Sequence, residues 1–204
     1  MKLYYSPGAC SLSPHIVLRE SGLPFELVKV DNKAKKTEHG DDFYTVNPKG
    51  VVPALKLDNG EVLTEGPAIV QYVADKASNS SLAPMPGSFE RSRLQEWLNF
   101  ITSEVHKQFS PLFKPNTPDA YKPIAKENLM RQFGYLDKQL AGKDYLLGKN
   151  FSAADAYLFV VMNWRKFHNL DISQFPNLSA YVERVAARPK VKEAMVAEGL
   201  IKAA

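Results

Sequence analysis

Residues 2–30 read KLYYSPGACSLSPHIVLRESGLPFELVKV, and three changes of texture along this stretch set the organisation of the chain. Lys2 to Tyr5 is a short run of strand formers that Pro7 and Gly8 end. Ser11 to Ser21 has the apolar spacing of a helix and is stopped by Gly22. Pro14 fits there because it falls in the first turn, where a missing N–H forfeits no intrahelical bond. Phe25 to Val30 is a second strand. Strand, helix and strand in that order form a βαβ unit, whose crossover makes the two strands parallel.

Downstream, Asn32 to Gly40 is rich in Lys, has no period and reads as loop, followed by a short helical piece over Asp41 to Val46 and a turn at Asn47-Pro48-Lys49-Gly50. Ala54 to Leu57 and Glu61 to Leu63 flank Asp58-Asn59-Gly60, where the Asn-Gly step is expected to supply the positive φ angles of a tight antiparallel hairpin. Thr64-Glu65-Gly66-Pro67 then opens a helix over Ala68 to Lys76, with Pro at a first-turn position. The order β-α-β, loop, β-β-α is the layout of a thioredoxin-like sheet, assigned to residues 1–80. Ser78-Asn79-Ser80-Ser81, with Pro84 and Pro86, reads as a linker.

From residue 87 the texture is helical. Leu94, Trp97, Leu98, Ile101, Val105 and Phe109 recur at helical spacing, Pro111 and Pro115 are expected to break the helix, and further helices are predicted over Ala125 to Leu140, Ala153 to Phe167 and Leu178 to Ala187. Ser152-Ala153-Ala154-Asp155 is a capping-box analogue with Asp in the Glu position, and Phe151 is placed to act as a hydrophobic staple. The predicted fold class is therefore an α/β thioredoxin-like N-terminal domain followed by an all-α domain over residues 87–204.

Composition narrows the function. The net charge is +4 with both signs interspersed, which is a mildly basic surface suited to small anions and no nucleic-acid footprint. The longest apolar stretch, Ala156 to Met162, falls far short of the roughly 20 residues of a membrane span, and the opening residues lack the apolar run of a signal peptide. A single cysteine excludes an internal disulfide and suits a reducing compartment, so a cytoplasmic location is expected.

That cysteine, Cys10, stands just before a helix at the carboxyl end of a strand, where ligands of open α/β sheets bind. Helix N–H groups and the dipole there favour a thiolate, so a depressed pKa is expected; the competing reading is a small hydrophobe in packing. Cys10-Ser11-Leu12-Ser13 matches a Cys-x-x-Cys in which Ser13 replaces the second thiol. A reactive Cys10 must then work on an external thiol, the abundant cytosolic one being glutathione. Val51-Val52-Pro53 is a strand-opening proline, trans by base rate, since only about 5–6% of X–Pro bonds are cis. Thr64-Glu65-Gly66 combines helix N–H donors with a carboxylate and suits a zwitterion, or is an ordinary helix start. His106 and Lys107, on a helix with Asn99, Ser103 and Glu104, offer donors or positive charge, although a lone helical His is more often surface or packing.

Read together, residues 1–12, 46–55, 63–69, 96–99 and 151–157 resemble the beta-class bacterial glutathione S-transferases, and the likeness runs from Met1 to Ala204. The resemblance implies a cytosolic homodimer that binds glutathione as co-substrate, without cofactor or metal, and attacks a small hydrophobic electrophile with the glutathione thiolate. The electrophile pocket would be shared with the helical domain. It also implies that Cys10 lies beside the glutathione sulfur and can form a mixed disulfide, and that Val52, before a cis Pro53, pairs with the tripeptide backbone. Glu65 and Gly66 take the γ-glutamyl end, Lys35 and His106 belong to the same pocket, and Ser103, Glu104, Val105 and Lys107 are nearby. Asn99 and Glu104 reach the neighbouring subunit's site. Position 66 is Ser in much of the wider superfamily, so Gly66 leaves only its N–H. Cys10 and His106 are the catalytic expectations, and Tyr5 is given no such role. The competing function is a non-catalytic binding or regulatory module on the same fold.

Overall fold

The computed structural model describes residues 1–77 and 81–203; Ser78, Asn79 and Ser80 of the expected linker, and with them the boundary at residue 80, lie outside the described residues. Contacts group residues 1–83 with 187–204 in one compact unit and residues 84–186 in another.

The first unit is built on β1 (Lys2–Tyr5), the middle strand of a five-stranded sheet. After α1 (Leu12–Ser21), β2 (Glu26–Asp31) returns parallel to β1, with Leu3 opposite Leu27. On the other side of β1 lie β4 (Ala54–Lys56) and then β5 (Val62–Thr64), both antiparallel to their neighbours. The outer strand beside β2 is β3 (Lys36–Thr37), inside the stretch expected to be loop. Two residues are too short for any period, and the exposed lysine is the kind of residue that guards a sheet edge. The short helical piece is a 3₁₀ turn, Phe43–Thr45, capped by the Asp42 side chain. In the hairpin only Gly60 has positive φ; it donates to Leu57 O and is followed by the Leu57–Glu61 pair, so a single left-handed glycine, not the Asn-Gly pair, makes the turn.

Alternation along β1 sends side chains to both faces. Tyr4 joins Val28, Val30, Phe43, Val52 and Ala54 in one apolar cluster. Leu3 and Tyr5 point the other way, where Tyr5 meets the His15 ring of α1 at 6.2 Å. α1 also packs on α2 (Gly66–Lys76), whose Ile69, Val70 and Val73 are fully buried.

α8 (Pro189–Ala197) packs on α1, so the last residues of the chain belong with the sheet and not with the helical unit to which residues 87–204 were assigned. Polar ties hold it there. Arg188 makes a two-pronged pair with Glu20 at 2.8 and 2.9 Å. Just past α8, the fully buried Glu198 carboxylate accepts from the Gly8 N–H at 2.9 Å and meets His15 Nδ1 at 2.8 Å. Arg19 Nε lies 2.8 Å from His15 Nε2, and since a guanidinium can only donate, Nε2 carries the lone pair and Nδ1–H donates to Glu198. Helical periodicity cannot say which neighbour a terminal helix covers, which is why these ties escape the sequence.

The second unit begins with α3 (Phe89–Phe100), continues without a break through a π-helical turn (Ile101–His106), and ends that rod with α4 (Lys107–Phe113). Pro111 lies inside α4 and does not break it; the rod stops at Lys114, which is extended ahead of Pro115 as a residue before proline prefers. α5 (Tyr121–Leu140) packs against α4, and α7 (Pro176–Ala187) closes the helical series. Residues 153–162 of α6 (Ala153–Asn163) are all buried, as expected of a helix apolar on every side. Beyond Asn163 the chain tightens to a 3₁₀ turn, Trp164–His168, ended by left-handed Asn169, so the helix expected as far as Phe167 stops short. The capping box is formed: Asp155 Oδ2 accepts from the Ser152 N–H and hydroxyl, and Oδ1 from Leu146 N–H and Tyr181 OH. Phe151 meets the Tyr145 ring at 5.7 Å.

Replacing Glu198 with Ala removes the carboxylate that accepts from the Gly8 N–H and strands the buried His15 Nδ1–H inside the first unit. Urea unfolding is expected to show a loss of about 2 kcal/mol, one orphaned buried donor at the usual cost. Glu193→Ala, which removes an exposed partner of Arg19, should leave the midpoint nearly unchanged.

Candidate active site

The segment between β1 and α1 is tied at three points. Ser11 is buried, and its hydroxyl bridges Ser6 N–H (3.1 Å) and Ser6 O (3.2 Å). Gly8, at φ 71°, turns the chain so that its N–H reaches Glu198. Ser13, in the place of the missing second thiol, donates to Cys10 O at 2.9 Å. The fixed turn holds Cys10 with its Sγ 3.5 Å from the Val52 carbonyl, which accepts the S–H. Val52–Pro53 is cis, against the base-rate reading and in line with the resemblance.

Electrostatics at Cys10 run against the expected thiolate. The N–H groups of Cys10 and Ser11 do favour the anion, but burial outweighs them, with a smaller push from Glu65, and the thiol is driven up to about 11. A helix terminus contributes roughly 0.3–1 kcal/mol, less than desolvation of a buried anion costs. Cys10 is thus a neutral thiol and hydrogen-bond donor at neutral pH.

Glu65 and Gly66 stand close by: a Cβ built on Gly66 would lie 3.8 Å from Pro53 Cγ and 3.9 Å from Ser13 Oγ. Glu65 carries φ 71°, ψ 112° at the start of α2, a conformation that costs a non-glycine residue about 1–3 kcal/mol and typifies binding sites. Its exposed carboxylate is paired with the Lys49 ammonium, which also donates to Thr64 Oγ1 at 3.1 Å. An ammonium therefore already sits where the sequence placed one belonging to a ligand, and Lys49, read only as a turn residue, is a member of the site. Lys35, also at positive φ, reaches back to the Gly50 carbonyl at 2.7 Å. Position 50 must be glycine: at φ 63° a Cβ would come within 2.5 Å of the Tyr44 ring.

In the helical unit the remaining candidates divide. Val105 is fully buried, so its side chain is core. The Asn99 amide and Ser103 hydroxyl bond back to carbonyls of their own rod, Gln95 O and Asn99 O, and both residues are exposed, as is Glu104. His106 closes the π turn, a feature frequent at functional sites because it rotates the residues beyond it relative to an α-helix. Its Nδ1 lies 2.6 Å from Tyr157 OH on α6, and Trp164 stands edge-on at 4.7 Å. Burial, with help from Lys107, lowers the imidazole pKa to about 4, so His106 is neutral at pH 7. Trp164 also meets Phe113 at 5.7 Å, and Phe113 meets Phe167 at 6.3 Å; these two phenylalanines are 49% and 70% exposed, an open aromatic wall. Tyr157 and Trp164 escaped the sequence reading, although two such residues seven apart at the end of an apolar helix share one face.

Family models described as the N-terminal and the C-terminal domain of glutathione S-transferase match residues 8–76 and 100–189. The glutathione S-transferase GstA of Escherichia coli O157:H7 is 48% identical, the alignment covering 98% of this chain and all of that protein. Among solved structures, a sphingomonad glutathione S-transferase complexed with glutathione is 53% identical with a TM-score of 0.95. A bacterial beta class glutathione S-transferase from Sphingomonas chungbukensis is 52% identical, also with a TM-score of 0.95. Both alignments cover 98% of this chain and 100% of the other.

The half-buried, neutral Cys10 sets a pH dependence. Its proton is held between the ordinary cysteine range and about 11, so alkylation by iodoacetamide should be slow at pH 7 and rise about tenfold per unit up to pH 10. A rate already level above pH 8 would mean a depressed pKa.

Proposed function

Because this chain belongs to the glutathione S-transferase family, in its bacterial beta class, we propose that it joins glutathione to small hydrophobic electrophiles through Cys10, Val52, Glu65 and His106. The chain is an enzyme, a glutathione transferase, and not a non-catalytic module. The observation that carries the site is the convergence of Cys10 Sγ, the Val52 carbonyl, Pro53 and Gly66 at one end of the sheet.

In this reading the γ-glutamyl ammonium displaces Lys49 from Glu65, and its carboxylate takes the N–H groups that open α2. Val52 pairs with the main chain of the tripeptide, and Lys35 contributes positive charge. The sulfur of glutathione accepts from the Cys10 S–H, which turns to it from the Val52 carbonyl, and His106 is the second neutral donor assigned to the reaction. Each stabilises a thiolate more than a thiol, so each favours loss of the glutathione proton to water. The thiolate then forms the S–C bond while the electrophile's leaving group departs with its electron pair. The electrophile is received beside α4, where Phe113 and Phe167 are open. Mixed-disulfide formation at Cys10 is a side capacity: the Cys10 thiolate attacks one sulfur of glutathione disulfide and releases the other glutathione as its thiolate, a step slowed in the free protein by the protonated thiol. The protein acts as a cytoplasmic homodimer, and exposed Asn99 and Glu104 suit a neighbouring subunit's site; no helix among the described residues is long and apolar enough to cross a membrane.

Two substitutions test this. Cys10→Ala should abolish the mixed disulfide, seen by mass spectrometry, while sparing part of the conjugation of a chloronitroarene; equal loss of both would favour thiol exchange as the main activity. Glu65→Gln should raise KM for glutathione about tenfold, or about 1.4 kcal/mol, with little change in kcat.

A further inference from the structure

We propose that Tyr157 is a positioning residue for His106: its hydroxyl donates to His106 Nδ1 and fixes the ring as the Nε2–H tautomer, so that His106 presents a donor and not a base. The proposal rests on the reading of His106 as the residue that serves the glutathione sulfur, and it names what makes that residue suitable. A neutral imidazole has one N–H and one lone pair, and whichever nitrogen is engaged dictates the character of the other.

Nδ1 lies 2.6 Å from the Tyr157 oxygen, a short hydrogen bond whichever atom donates. Acidity chooses between the two arrangements: the phenol is the stronger acid of the two, so the phenol-to-imidazole direction makes the stronger bond. Tyr157 is 3% exposed on a helix buried along its length, which holds the hydroxyl in place. The edge-on Trp164 ring restricts the imidazole plane from another side. Nε2 has no protein partner among the described residues, which leaves it open for a ligand. The π turn is what brings His106 to the position from which Nδ1 meets α6.

Long-range ¹H–¹⁵N correlation on protein labelled with ¹⁵N-histidine reads the tautomer directly at pH 7. The wild type should show His106 with Nε2 protonated and Nδ1 bare, and Tyr157→Phe, which keeps the ring volume, should convert it to a mixture. Nδ1–H in the wild type, or an unchanged pattern in Tyr157→Phe, overturns the proposal, and neither result depends on glutathione. In kinetics, Tyr157→Phe should lower kcat about tenfold with KM for glutathione within about twofold, and should cost less than about twofold in a His106→Gln background. Equal cost in both backgrounds would show that Tyr157 acts on something other than His106, and would also sink the proposal. Full activity in His106→Gln would instead overturn the role of His106 in transfer while the tautomer result still judged the Tyr157 contact.

Discussion

Glu198 accepts from Gly8 and His15 at once, and through those two bonds a residue near the end of the sequence holds the turn that carries Cys10. Everything at that end of the sheet depends on the turn being fixed. Ser11 can bridge Ser6 only when Gly8 is bent at positive φ, and Cys10 can reach Val52 only when Ser11 starts α1 where it does. The cost of the arrangement is a carboxylate taken wholly out of water, and it is stable because both oxygens have donors and because Arg19 fixes the donor form of His15. A loop that must present a thiol and an open main chain to a ligand cannot hold itself by packing alone, since the packing would occupy the space the ligand needs.

Charge in the two groups of functional side chains has one pattern. The residues proposed to serve the sulfur, Cys10 and His106, are both driven to their neutral forms by burial, while Lys49 and Glu65 carry their charges at the exposed surface of the first unit. Neutral donors held ready in a dry place stabilise an arriving anion without the desolvation cost of a resident ion. Glu65 and Lys49 satisfy each other in the free protein, an exposed pair of small net worth that an incoming zwitterion can replace on equal terms.

Much of the fold is legible in the sequence because it is local. Pro7, Gly8 and Gly22 punctuate the first βαβ unit, Pro67 marks the start of α2, and Ser152 to Asp155 announce the cap of α6 by type and spacing alone. Where sequence and structure part, the reasons are equally physical. β3 is too short to carry a period, Asn59 keeps negative φ because Gly60 alone suffices, and Pro111 is accommodated within α4. Val105 is a neighbour of His106 in sequence and in structure, yet its side chain faces the core because successive residues of a helix point in different directions.

The sequence by itself determined the order of the main elements, the place of the single cysteine just ahead of α1 and the helix start at Gly66, since each depends on residues a few places apart. The tertiary structure alone decided the protonation of Cys10 and His106, the pairing of Lys49 with Glu65, the reach of Tyr157 to His106 and the return of Glu198 to Gly8. Those properties come from burial and from contacts between residues 16 to 190 positions apart in the chain, and neither burial nor such contacts leave a periodic mark that a linear reading can find.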